Sequence, residues 1–218
     1  MNLFRLSRAG ACAFALACAP AFSKPIAFAH GTTVMAEYGA GTMTEAQLFY
    51  APRYNWSFGV GRTELDSDVI DRRNEITYAR VNYLVKRWNL ETAQANVFTW
   101  GGVGDAYVSE ANGHDTTWNA GGQLDYETRR VYGSLKTDWF GSSAFTHRID
   151  TLQLGLAPYK HDTNTLATWF VVQGRLYSGQ IHDGTEWALL LRLFKRGAWV
   201  EAGATTDGKL QAMAMINF

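Results

Sequence analysis

The chain is 218 residues long, with 20 basic and 20 acidic side chains, a formal net charge of zero and two cysteines. A balanced charge offers no electrostatic footprint for nucleic acid. The most apolar stretch, Trp187-Ala188-Leu189-Leu190-Leu191-Arg192-Leu193-Phe194, is short and interrupted by Arg192, so no segment reads as a membrane-spanning helix.

The first element in chain order is a targeting segment. Arg5 and Arg8 precede a small-residue apolar run over 9–22 that is too short to cross a bilayer and is flanked like a secretory signal peptide. Two cleavage frames satisfy the small-x-small rule: Ala21-Phe22-Ser23 before Lys24, and Ala27-Phe28-Ala29 before His30. The second is preferred because strand-like alternation begins soon after it. This gives a signal over 1–29, with 1–23 as the alternative, and a single domain over 30–218. Ala15-Leu16-Ala17-Cys18 lacks the large aliphatic residue that a lipoprotein signal carries where Ala15 stands. Cys12 and Cys18 both fall inside the signal, so the exported chain has no thiol for a disulfide or a metal site. Losing Arg5, Arg8 and Lys24 leaves 17 basic against 20 acidic residues.

Beyond residue 30 the chain has few prolines, many aromatics, and glycines or polar clusters at short intervals, the pattern of consecutive hairpins. Strands are predicted over 32–38, 43–50, 54–65, 75–88, 91–103, 115–128, 131–140, 148–157, 165–177, 185–195, 198–205 and 209–218. In the clearest one, Trp118, Ala120, Gly122, Leu124 and Tyr126 share a face opposite Asn119, Gln123, Asp125 and Glu127. Eight or ten strands remain possible if the weakly patterned segments at 32–50 and 198–205 are miscounted. Long connections are expected at 66–74, 104–114, 141–147 and 178–184, and tight turns at Asn89-Leu90, Arg129-Arg130 and Arg196-Gly197.

The last strand alternates in character and stops on an aromatic residue. Leu210, Ala212, Ala214, Ile216 and Phe218 lie on one face, Gln211 and Asn217 on the other. A chain ending in this way resembles the bacterial outer-membrane β-barrel superfamily, whose C-terminal strand carries a terminal Phe that the assembly machinery reads. The resemblance implies an all-β fold: a closed antiparallel up-and-down transmembrane barrel of about twelve strands, with both termini in the periplasm. It also implies outer-membrane lipid and lipopolysaccharide as surroundings, and Phe218 as the assembly signal.

In such a barrel, function resides in the lumen or the loops. Parity places Glu37, Arg80, Lys86, Asp125, Glu127, Lys136, Asp138, Arg175, Glu186, Arg192 and Glu201 inside, together with Tyr78, Phe98, Trp100, Tyr132, Trp169, Phe194 and Trp199. Mixed charges among large aromatics suit either an ion-paired filling, as in a structural envelope protein, or a narrow polar pore. Arg62, Arg87 and Lys195 continue apolar faces and are expected at the rims of the lipid belt. An outer-leaflet lipid hydrolase or acyltransferase is an alternative, since His114, His147, His182, Ser109, Ser142, Ser143 and Ser178 fall in expected outer loops. No G-x-S-x-G or similar nucleophile motif supports it, and no catalytic residue is assigned. A third reading has His30, as a new N-terminus, chelating a metal ion with help from His161. No cofactor is implied.

Overall fold

Apolar-polar alternation punctuated by turns becomes twelve strands in the computed structural model, which describes residues 26, 29–67, 72–108, 113–161 and 165–218. They are β1 (Gly31–Gly39), β2 (Met43–Arg53), β3 (Trp56–Ser67), β4 (Arg72–Asn89), β5 (Ala93–Val108), β6 (Gly113–Thr128), β7 (Val131–Gly141), β8 (Thr146–Leu156), β9 (Ala167–Gly179), β10 (Gly184–Lys195), β11 (Ala198–Thr205) and β12 (Leu210–Asn217). Each pairs antiparallel with its sequence neighbour, and β1 pairs with β12, so the sheet closes into a barrel. At the seam, the Thr32 amide donates to the Phe218 carbonyl at 2.6 Å and the Phe218 amide returns a bond to Thr32 at 3.0 Å. The Thr33 hydroxyl adds a bond to Asn217 Oδ1 at 2.7 Å on the lumen side.

The apolar faces point outward. Leu48, Val60, Leu124, Leu135, Leu154, Val172, Leu189 and Val200 are all exposed on the outer surface. Water would not tolerate so continuous an apolar surface; hydrocarbon would. Two aromatic girdles bound this belt. Trp56, Trp88 and Tyr126 ring the proximal end, where Gly31 and Phe218 lie, and Tyr38, Trp118, Trp139 and Trp187 ring the distal end. Gly141 and Gly174 have no Cβ, which lets the rings of Trp118 and Trp187 lie against the strand backbone there.

Charges on the lipid-side parity collect at the rims. Arg62 is half exposed and pairs with Glu64 at 3.2 Å and Glu75 at 2.5 Å; Lys195 is exposed at the proximal turn. Arg87 departs from its expected outward position. A register shift between Leu84 and Lys86 inserts an extra residue into β4, and everything beyond it changes sides. Arg87 therefore turns inward, where its Nε donates to Asn96 Oδ1 at 2.6 Å.

The expected long connections at 66–74 and 104–114 are largely strand. β3 runs to Ser67 and β4 starts at Arg72, while β5 runs to Val108 and β6 starts at Gly113. Here the chain keeps pairing above the belt rather than looping, because hairpin pairing satisfies backbone groups that a loop would leave to water. Ser109, one of the loop serines considered above, lies outside the described residues. At the tight distal turn between β1 and β2, Ala40 and Gly41 both adopt positive φ (57° and 82°), the signature of a type I′ hairpin.

Leu189 stands midway along the lipid-facing run of β10 and is 69% exposed. Leu189→Arg should lower refolding stability in lipid bilayers by about 2–4 kcal/mol, whereas Arg62→Ala at the rim should change it by less than about 1 kcal/mol. Urea titration of heat-modifiable gel mobility measures both.

Candidate functional site

The lumen has three layers. The distal layer is apolar: Met43, Leu65, Ile76, Phe140, Ile149, Tyr177 and Ile181 pack together, with Phe145 from the β7–β8 turn. The proximal layer is apolar as well. One cluster joins Tyr132, Trp169, Leu190, Phe194, Trp199, Met213 and Met215, and a second joins Ile26, Ala51, Leu84, Phe98 and Trp100. The parity that sends apolar residues outward also sends these inward, because the largest side chains are needed to span the barrel's width.

Between these layers lies a polar belt, organised on two arginines. Arg80 is 5% exposed; its Nη1 lies 3.7 Å from Asp138 Oδ1 and 3.4 Å from Asn119 Oδ1, and its Nη2 donates to Gln47 Oε1 at 3.3 Å. The guanidinium lies 4.9 Å from the Phe49 ring and 5.1 Å from that of Trp100. Asp138 also accepts from Lys136 Nζ at 2.7 Å and from Trp100 Nε1 at 2.8 Å. Glu45 accepts from the Tyr78 hydroxyl at 2.7 Å and from Thr63 at 2.8 Å.

The second arginine, Arg192, is fully buried. Its Nε donates to Glu201 Oε2 at 2.5 Å and its Nη2 to Gln153 Oε1 at 2.8 Å, while its guanidinium stacks 4.2 Å from Trp199 and 4.6 Å from Tyr132. From Gln153 a chain of amides crosses the lumen: Gln153 donates to Gln173 at 2.7 Å, and Gln173 to Gln211 at 2.8 Å. Arg175 pairs with Glu37, and Glu186 accepts from Thr42 at 2.6 Å and from Tyr177 at 3.1 Å. Asp125 takes the Asn96 amide at 2.6 Å near the proximal end.

Of the residues expected inside, Arg80, Asp125, Glu127, Asp138, Arg175, Arg192 and Glu201 are buried in the lumen, with Lys136 and Glu186 half-buried among them. Lys86 is the correction. It follows the β4 bulge and is exposed on the outer side, its ammonium 6.0 Å from the Trp88 ring of the proximal girdle. Parity carried across an unseen bulge sends it to the wrong face. The amide chain Gln153, Gln173 and Gln211, with Glu45 and Gln47, went unassigned in the sequence. Their inward parity is readable from the alternation of β2, β8, β9 and β12, and the neutral amides among them carry no charge to mark them.

What space remains is small. Around the polar belt a cavity of about 80 Å³ remains, lined by Glu45, Gln47, Arg80, Gln173 and Arg175 and bordered by Phe140 and Met215 of the apolar layers. That is room for a few water molecules rather than a solute. Arg80 Nε, Arg175 Nε and Nη1, Arg192 Nη1 and Gln211 Nε2 lack protein partners, and water in this space would satisfy donors of that kind.

The loop residues considered for catalysis or metal are dispersed. His114 pairs with Asp105 at 2.6 Å on the exposed distal surface. Ser143 donates its hydroxyl to Asp115 at 2.7 Å, and that bond, ahead of the others to Asp115, holds the carboxyl below the ordinary carboxylate range. Ser142 accepts the amides of Ala144 and Phe145, and His147 and His182 flank the Tyr177 ring. Ser178 is the penultimate residue of β9, half-buried. His30 is exposed at the start of β1, whereas His161 is buried edge-on against Trp169, and that burial lowers its pKa. Among the described residues no group of three His, Cys, Asp or Glu side chains could hold a metal ion.

Breaking one buried pair tests the belt. Glu201→Gln should destabilise the barrel by about 3–5 kcal/mol because it leaves the Arg192 charge buried without its counter-ion, and Arg192→Met combined with Glu201→Leu should recover most of that loss. Equilibrium refolding in detergent micelles gives both values.

No family model and no curated protein matches this chain. Among solved structures it is similar to a KdgM porin, determined in complex with disordered oligogalacturonate, at 9% sequence identity and a TM-score of 0.49, over 86% of this chain and 98% of that one.

Proposed function

We propose that this chain is a bacterial outer-membrane envelope protein whose lumen is closed, a barrel that contributes structure to the membrane rather than passage through it. The observation that carries this reading is the layering of the lumen. Two apolar clusters bracket a polar belt whose remaining cavity is about 80 Å³. A hydrated solute would have to displace Trp169, Trp199 and Phe140, each 2% exposed or less, and separate Arg192 from Glu201. Opening that pair without supplying a substitute exposes each charge to a low-dielectric wall, which costs several kcal/mol.

The apolar belt and girdles fit lipid on the outside, with lipopolysaccharide facing the distal rim, where Arg148 is exposed and stacks on Trp139. Phe218 directly follows β12, 68% exposed, on the surface that assembly machinery would read during insertion. Among the described residues, Ser143 bonds to Asp115 and Ser142 to backbone amides rather than to a histidine base, which favours the scaffold over lipid hydrolysis.

Single-channel recording in planar bilayers tests the proposal. Protein that shows heat-modifiable folding should give no steady current, and a stable ohmic conductance proportional to the number of inserted barrels would overturn the closed reading.

A further inference from the structure

Ile26 is the one core side chain contributed from ahead of β1 among the described residues. It is 1% exposed and packs in the proximal mouth with Ala51, Leu84, Phe98 and Trp100. A second observation concerns the backbone that leads to it. His30 has φ 61°, a left-handed conformation uncommon for a residue with a side chain, and its amide donates to the Ala51 carbonyl at 2.6 Å. The chain is thus turned at the mouth and tied to Ala51, which is itself a wall of the slot that Ile26 fills.

We infer that export processing cuts between Ser23 and Lys24, so that Ile26 stays with the barrel and stoppers its proximal end. The inference rests on the chain being exported, as the proposed function requires. The small-x-small rule admits both Ala21-Phe22-Ser23 and Ala27-Phe28-Ala29, so the sequence rule alone does not choose. Burial chooses. A cut after Ala29 removes Ile26 and leaves an apolar slot lined by Leu84, Phe98 and Trp100 open toward the periplasm. Trp100 is the residue whose Nε1 holds Asp138, so that slot leads directly to the Arg80–Asp138–Lys136 group. A cut after Ser23 keeps the apolar seal beneath those charges.

The step is a hydrolysis by the membrane-bound signal peptidase. One water is consumed across the Ser23–Lys24 peptide bond, leaving a carboxylate on Ser23 and an α-ammonium on Lys24. His30 then lies inside the chain and has no free α-amino group beside its imidazole. This removes the N-terminal chelate in which His30 and His161 were considered together.

The two cysteines of the sequence, Cys12 and Cys18, leave with the signal under either frame, so Ile26→Cys leaves a single thiol in a protein cut after Ser23 and none in one cut after Ala29. Outer-membrane protein carrying Ile26→Cys is treated with a polar maleimide before and after heat unfolding, and the wild-type protein from the same membranes is weighed intact. The expected result is a wild-type mass beginning at Lys24, and a thiol that labels at least about tenfold more slowly in the folded barrel than after unfolding. Equal labelling in both states would overturn the stopper. A mass beginning at His30, with no labelling even after unfolding, would overturn the cleavage assignment. A mass that still begins at Met1 would overturn the export reading along with it.

Discussion

In hydrocarbon no water is present to satisfy a backbone N–H or C=O, so a sheet that crosses a membrane must have no edge. Every other feature of this barrel follows from that demand. Twelve strands pair in sequence order, and among the described residues the one strand pairing that is not between sequence neighbours is the β1–β12 seam, where Thr32 and Phe218 exchange amide and carbonyl. Closure commits alternate side chains to an interior they must fill. It also commits the other half to lipid, which is why Leu189 and Phe218 are among the most exposed residues.

Filling the interior creates an electrostatic difficulty, and the layering answers it. Apolar plugs at both ends keep bulk water out, which raises the cost of any charge between them and strengthens the attraction of any pair. Arg192 accordingly meets Glu201, and Arg80 and Lys136 meet Asp138, while neutral glutamines carry the bonding across the space between. Aromatic faces serve both demands at once: Trp199 packs as apolar volume and offers its π-face to Arg192. A lumen built this way is stable because it is closed, and the functional reading rests on that equivalence.

Much of this was legible in the sequence, for reasons that differ by residue. Strand number and direction were readable because period-two alternation is a local signal, as in Trp118 to Tyr126, and because closure makes each strand's outward face apolar. Parity likewise placed Arg80, Asp138, Arg192 and Glu201 inside. It failed at Lys86 and Arg87, because a single bulge residue in β4 leaves no mark in the composition but exchanges the two faces beyond it. The distal connections were expected to be long loops at 66–74 and 104–114, where polar residues in fact continue the hairpins above the lipid belt. Ile26 was hidden for a different reason: it looked like the tail of an apolar export signal, and only the barrel's proximal cavity gives it a partner.

The claim on which the rest depends is that the sheet closes. Amide hydrogen exchange on the protein in lipid nanodiscs reads it directly at Val34, Ala36, Ala214 and Ile216, which pair across the seam between its bonded ends at Thr32–Phe218 and Ala40–Leu210. The structure predicts that these amides, apart from fraying at the outermost positions, exchange as slowly as those of the central strands β5 and β6. Exchange at the seam on the timescale of the connecting turns, with β5 and β6 still protected, would mean an open edge and would contradict the barrel.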